Sequence, residues 1–246
     1  MPAKPLVFVH GFACTHADWR LQLARFGAHL DSEHDVFAPD LRGHGRTHAR
    51  PEDCSIETYG SDIAALLDGK DLKDAVLIGH SMGCRVVLQA YLNAPERVAA
   101  LVLIDGSFQG ARPPVSIEDY PEFARNLFEG MFLAPSELGK AIIERATRLP
   151  ASIGAALFPR MARWDAENME RALAAVKVPM LFIQSTYLNA ERKRVAIKDG
   201  ETSPWLDMVR RHAPQAQIEL VTGVGHFPQL EAPEQVNELL SGLILQ

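Results

Sequence analysis

Short, continuously apolar runs alternate along this chain with longer stretches in which apolar positions recur every three to four residues. Leu6-Val7-Phe8-Val9 is the first run. Val36-Phe37-Ala38-Pro39-Asp40, Ala75-Val76-Leu77-Ile78-Gly79, residues 98–104, Pro179-Met180-Leu181-Phe182-Ile183 and Ile218-Glu219-Leu220-Val221 follow. Most of these runs do not alternate with polar residues, which suits strands buried on both faces. The helical period marks residues 18–30, 56–67 with Ser55 as N-cap, 82–92, 205–212 and 233–243, the last with Pro233 in its first turn. Strand and helix in alternation predict the α/β class: a mostly parallel, doubly wound sheet of about six strands with helices on both faces.

One interval departs from this pattern. Between Gln109 and Lys177 there is no strand pattern, only helical pieces punctuated by Pro113-Pro114, Pro135, Pro150 and Pro159. It is too long for an ordinary loop. It predicts a helical insertion, residues 109–176, that interrupts one core made of residues 1–108 and 177–246.

Composition narrows the classes. A chain of 246 residues accommodates one large domain with an insertion and buries a core without disulfides or metals. With 25 Lys+Arg against 31 Asp+Glu the net charge is −6, and no basic block offers a face to nucleic acid. No apolar run approaches the ~20 residues that span a bilayer, which predicts no membrane insertion. Met1-Pro2-Ala3-Lys4-Pro5 leads straight into the first strand without the pattern of a signal peptide. Three cysteines, Cys14, Cys54 and Cys84, are odd in number and unpaired in spacing, which fits a reducing, cytoplasmic compartment. No His/Cys/Asp cluster has metal-ligand spacing and no dinucleotide fingerprint occurs, so neither metal nor cofactor is expected. Monomer and homodimer both remain open.

The sharpest chemistry is Gly79-His80-Ser81-Met82-Gly83, placed between a buried strand and a helix. An incidental Gly-Ser turn would not need those flanks. A serine on so sharp a turn requires small residues two positions away on either side, and it then projects from the sheet at a helix N-terminus, where developing negative charge is favoured. A serine hydroxyl needs a base. Of nine histidines, His226 follows the last strand and so shares the carboxyl edge of the sheet with Ser81. His10 reads as a turn-shaping residue, His80 as the variable position of the elbow and His212 as a solvated helix end. Two backbone N–H groups for an oxyanion would come from Met82 and from Phe12, in the loop after the first strand. Arg42-Gly43-His44-Gly45-Arg46 lacks the spacing of a phosphate cradle and reads as a structural turn. Cys84 reads as a buried packing residue, and Arg85 as a partner of either an anionic substrate or a neighbouring carboxylate.

His10-Gly11-Phe12, Asp40-Leu41-Arg42-Gly43-His44-Gly45, Gly79-His80-Ser81-Met82-Gly83, Leu101-Val102-Leu103-Ile104-Asp105 and Gly225-His226-Phe227 occur in one order. In that order they resemble the α/β-hydrolase superfamily over nearly the whole core, with the insertion in the place of the family's helical cap. The resemblance implies a Ser-His-acid triad. Serine at position 81 sets the chain apart from the haloalkane dehalogenases and epoxide hydrolases, which carry aspartate there. The family's acid is expected after the fifth strand, in a Gly-x-x-Asp turn. Here that stretch reads Gln184-Ser185-Thr186-Tyr187-Leu188-Asn189-Ala190-Glu191. Asp105, at the end of the preceding strand, is favoured as the acid. Glu191, and behind it Asp199, are the alternatives.

Phe123, Phe128, Met131, Phe132, Phe158, Met161 and Trp164 supply apolar bulk to the insertion. Phe132, Trp164 and Phe227 are expected to line a substrate pocket beneath it. The expected activity is hydrolysis of a small or medium, mostly apolar carboxylic ester. A lactonase, a C–C hydrolase, a lyase resembling hydroxynitrile lyases or menaquinone-pathway synthases, and a non-catalytic ligand receptor are the alternatives on the same scaffold.

Overall fold

The structure, a computed structural model, describes residues 4–27, 35–110 and 114–244. Met1-Pro2-Ala3, the predicted helix end at Leu30, and Pro113 lie outside them. In chain order the strands are β1 (Leu6–Val9), β2 (Val36–Phe37), β3 (Ala75–His80), β4 (Val98–Ile104), β5 (Met180–Gln184), β6 (Thr186–Leu188), β7 (Arg194–Ala196) and β8 (Gln217–Leu220). The α-helices are α1 (Arg20–Phe26), α2 (Ile56–Gly69), α3 (Met82–Asn93), α4 (Tyr120–Glu129), α5 (Glu137–Ala146), α6 (Ala151–Ala175), α7 (Pro204–His212), α8 (Pro228–Glu231) and α9 (Pro233–Ile244).

Six strands form the expected parallel sheet in the order β2-β1-β3-β4-β5-β8. Its central strands are apolar up to their carboxyl ends because each feeds two cores. Leu6, Phe8, Val76, Ile78, Val102 and Ile104 face one side, with Phe26 of α1 and Val236 and Leu240 of α9. Val7, Val9, Leu77, Leu101, Leu103 and Phe182 face the other, with apolar residues of α2, α3 and α7. Helix starts follow local chemistry. The hydroxyls of Ser55, Ser136 and Ser203 accept from the amides of Thr58, Gly139 and Leu206 at 2.9–3.2 Å.

The chain leaves β1 toward β2 on one side and returns to β3 on the other. The loops after β1 and β3 therefore part at the carboxyl edge, the place where open α/β sheets hold ligands. Helix α6 packs on α3, and α4 lies against both α5 and α6. Ile153, Phe158 and Trp164 of α6 belong to the same core as Val86 and Leu103.

Several elements differ from the sequence reading. The second strand stops at Phe37, since Pro39 has no N–H to donate and Asp40 turns away to accept from His16 and Arg46. The first helix begins at Arg20, after a tight 3₁₀ turn capped by Thr15. Pro159 does not punctuate: it lies inside the 25-residue helix α6. The stretch after Gln184 forms an antiparallel hairpin, β6 with β7. A single extra turn, α8, precedes α9.

Among the described residues no helix is long and apolar enough to cross a membrane, and no group of three or more His, Cys, Asp and Glu is arranged to hold a metal ion. The three cysteines are buried and free.

Candidate active site

Ser81 joins β3 to α3 with φ 54° and ψ −111°, a conformation that L-residues rarely adopt. Glycine on either side makes this turn possible. A Cβ on Gly79 would stand 2.3 Å from the Gly83 carbonyl oxygen, and one on Gly83 would stand 2.2 Å from the Val9 carbonyl oxygen. The two glycines thus clear space for backbone: Gly79 for the helix start, Gly83 for β1. Gly11 is packed in the same way, with its missing Cβ 3.2 Å from the Cβ of Ser81. This close approach brings the Gly11-Phe12 loop against Ser81. Met82 is the first residue of α3, and its N–H has no acceptor within the helix.

His226 approaches from the other side of the elbow. Its Nε2 lies 2.8 Å from the Ser81 hydroxyl and its Nδ1 lies 2.6 Å from a carboxylate oxygen of Asp105. A carboxylate can only accept, so Nδ1 carries the proton and Nε2 is left to accept from serine. The loop bearing His226 is held at many points. The His226 amide donates to the Met131 carbonyl (2.8 Å), the Ser185 hydroxyl donates to the Gly225 carbonyl (2.7 Å), and Glu231 accepts from the amides of Gly225 and Phe227 (3.0 and 3.1 Å). His80 Nε2 donates to the His226 carbonyl at 2.7 Å, so the elbow's variable position fastens the opposite loop. Burial pulls the His80 pKa down to about 3, which keeps that imidazole neutral.

Asp105 follows β4 in a left-handed conformation, φ 45°. One carboxylate oxygen accepts from the amides of Ser185 and Thr186, both at 2.7 Å, and from Gln184 Nε2 at 3.1 Å. The other accepts from His226, from the Thr186 hydroxyl and from Arg194 at 3.3 Å. Complete burial by itself would raise the pKa of this carboxyl. The bond and charge of His226, then Arg194 and Thr186, outweigh burial and hold it below the usual carboxylate range. His226 moves to about 4, first through burial and next through the Arg194 guanidinium, against the raising effect of Asp105.

The structure brings Ser81, His226 and Asp105 together. It does not bring Glu191 or Asp199 to them: both are exposed, Glu191 in the turn between β6 and β7. Gln184, Ser185, Thr186 and Arg194, which the sequence reading missed, surround Asp105. One signal was available. A charge at the end of β4 needs donors from the adjacent strand, and the polar Gln184 and Thr186, at the end of β5 and the start of β6, supply two side-chain donors that an apolar or glycine-rich turn would lack.

Arg85 is tied to a carboxylate. It makes a two-point pair with Asp165 of α6, both contacts 2.7 Å, and also donates to the Ser107 carbonyl at 2.6 Å. Both side chains are almost wholly buried, and leaving either without the other would strand a charge in the interior. Cys84 is buried against the elbow, with its thiol pushed up to about 12 by that burial.

Ser81 opens into a cavity of about 350 Å³. Phe12, Met82, Leu127, Met131, Phe158 and Met161 form its apolar wall, so four apolar residues of the 109–176 stretch border it. Phe132, Trp164 and Phe227, expected in the pocket, do not. Phe132 stacks on Phe227 with ring centroids 5.3 Å apart, and Phe227 is fully buried behind His226. Trp164 is fully buried with its Nε1 donating to Gln89. Each spends its ring on packing between elements. The β6–β7 hairpin contributes Leu188, Arg192, Lys193 and Arg194 to the wall, and Arg85, Gln109, Asn126 and Gly130 complete it.

The family model for the alpha/beta hydrolases matches residues 6–239. The chain belongs to the alpha/beta hydrolase family. This alpha/beta hydrolase is similar to a non-heme chloroperoxidase of Streptomyces lividans, 39% identical over 115 residues that cover 46% of this chain and 39% of that protein. It is also similar to the dihydrolipoyllysine-residue acetyltransferase component of an acetoin cleaving system of Pseudomonas putida. There the identity is 28% over 240 residues, 95% of this chain and 61% of the relative. The chain therefore spans less than two thirds of the length of both curated relatives. Among solved structures it resembles Est816, described as an N-acyl homoserine lactone degrading enzyme. The identity is 26%, the TM-score 0.75, and the match covers 97% of this chain and 92% of that one.

Proposed function

We propose that this alpha/beta hydrolase is a serine hydrolase that cleaves small carboxylic esters through an acyl-enzyme. The observation that carries the reading is the continuous chain of contacts from the Ser81 hydroxyl through both ring nitrogens of His226 to Asp105. His226 Nε2 takes the serine proton as Ser81 Oγ attacks the ester carbonyl. The amides of Phe12 and Met82 receive the tetrahedral oxyanion at the helix start. The imidazolium, stabilised by Asp105, returns its proton to the leaving alcohol, then activates the water that frees the acid. Residues 109–176 act as a cap whose Met131, Phe158 and Met161 keep water from the acyl group. The cavity lies near the small end of the range for ligand sites, which favours a compact ester. A lactone is the second reading, favoured by the likeness to Est816; it needs the same attack on a cyclic ester.

The test is labelling by a fluorophosphonate together with turnover of p-nitrophenyl acetate and butyrate. Mass spectrometry places the adduct on Ser81 if the reading is right. Folded protein with neither label nor turnover overturns it.

The pH profile follows from His226. The base works only when neutral, so kcat/KM is full above the imidazole pKa and is lost as pH falls through it. With that pKa lowered to about 4, the acid limb lies well below the 6.5 of a free imidazole. Release of p-nitrophenol, followed at its isosbestic wavelength from pH 3.5 to 8, reads the limb. Arg194→Gln removes a nearby positive charge and shifts it upward. A wild-type limb at 6.5 or above contradicts that lowering.

A further inference from the structure

We propose that the ester this enzyme accepts carries a carboxylate, bound by the cationic wall that the β6–β7 hairpin contributes to the cavity. The inference rests on the ester hydrolase reading and adds a substrate class to it. Of the residues lining the cavity, Arg85, Arg192, Lys193 and Arg194 are cationic and none is Asp or Glu. The chain as a whole has the opposite balance, 31 acidic against 25 basic residues, so the cavity inverts the sign of the molecule.

The wall is built on an ordered turn. The Asn189 amide donates to the Lys193 carbonyl and the Arg192 amide to the Asn189 carbonyl, both at 2.9 Å. The Asn189 side chain accepts from the Lys193 amide at 2.9 Å, and Arg192 takes a left-handed φ of 59° to close the loop. At the root of the hairpin Arg194 donates to the Thr186 hydroxyl at 2.8 Å and reaches Asp105. The cations fall into two pairs by position. Arg85 and Arg194 are buried and engage Asp165 and Asp105. Arg192 and Lys193 are exposed as well as lining the cavity, which puts them at its mouth. A Cβ on Gly110 would lie 3.6 Å from Arg192 Nη2, so that guanidinium extends from the hairpin to the segment after β4, beside Gln109. Gln109 and Asn126, which also line the cavity, add neutral hydrogen-bonding groups.

This layout suits an ester with an apolar middle and an anionic end. The apolar part lies along Phe12, Leu127, Met131 and Phe158, and the carboxylate meets Arg192 and Lys193. A guanidinium matches a carboxylate with two parallel donors, and the ammonium adds a point charge. The same field offsets the repulsion between the substrate's own charge and the oxyanion that develops at Ser81.

The experiment compares kcat/KM for monomethyl adipate and methyl hexanoate, which differ in a terminal carboxylate against a methyl group. It repeats the comparison with O-butyrylglycolate and propyl butyrate, which move the charge to the alcohol side. In at least one pair the anionic ester is expected to lead by about tenfold or more, the effect of one charge-assisted hydrogen bond. The lead shrinks about tenfold in an Arg192→Gln/Lys193→Gln double variant and falls with added salt. No lead in either pair, or a lead that survives in the double variant, overturns the proposal. Calorimetric binding of the same esters to Ser81→Ala protein reads the subsite without turnover. Failure of all turnover in the wild type thus overturns the hydrolase reading, whereas equal binding of charged and neutral esters overturns the carboxylate subsite.

Discussion

Ser81→Ala lowers ester turnover by at least about 10⁴-fold, because the change removes the atom that would be acylated while leaving the rest of the site in place. The side chain contributes little to the fold. Its hydroxyl contacts His226, and the turn around it is shaped by the absence of side chains at Gly79 and Gly83. Alanine meets the same left-handed backbone cost that serine already bears. The variant is therefore expected to keep its unfolding midpoint and circular dichroism while losing both p-nitrophenyl ester turnover and fluorophosphonate labelling. The amides of Phe12 and Met82 do not depend on the hydroxyl, so weak water-mediated hydrolysis is the expected residue of activity. Turnover within tenfold of wild type would place the nucleophile elsewhere.

Asp105→Asn has the second largest effect, about 10⁴-fold on kcat. Asparagine tolerates a φ of 45°, so the backbone stays as it is. The loss is in the hydrogen bonds. Both carboxylate oxygens accept from donors on every side: two amides and Gln184 on one, His226, Thr186 and Arg194 on the other. An amide brings its own two donors, and in either orientation these confront other donors. If the NH₂ faces His226, the ring must turn its unprotonated Nδ1 toward it. Nε2 then carries the proton and cannot accept from Ser81. If the NH₂ faces Ser185 and Thr186, their buried amides lose a partner, at about 1–3 kcal/mol each. Activity and denaturant stability are thus both expected to fall. Glu191→Gln separates this from a general effect of removing a carboxylate. Glu191 is exposed in the hairpin turn, and its variant is expected to turn over p-nitrophenyl butyrate within twofold of wild type. A reversal of the two results would return the acid to Glu191.

The parts of this molecule that could be read from the chain are those governed by neighbours in sequence. Apolar runs such as Leu6-Val7-Phe8-Val9 announce a strand with two buried faces, and the structure divides them between two cores, residue by residue. The order of strands and helices predicts the parallel sheet. The spacing of Gly79, Ser81 and Gly83 follows from backbone sterics within five residues, and Ser55 caps its helix through a contact three residues away. The folding of Gln184-Ser185-Thr186 around Asp105 was out of reach by that route. It depends on β5 lying beside β4, and on a hairpin that carries Glu191 outward while returning Arg194 inward. Which aromatic rings face the cavity was equally undecided. Phe132 and Trp164 look as suitable as Phe158 in sequence, but a neighbour 95 residues away takes the first and Gln89 takes the second. Local sterics and hydrophobic period act over a few residues, so the sequence by itself determined the six strands of the parallel sheet and the elbow. Convergence of side chains 80 to 145 residues apart is set by strand order and by which helices dock where, so tertiary structure decided which of the candidate acids meets His226 and assembled the cationic wall opposite the apolar one.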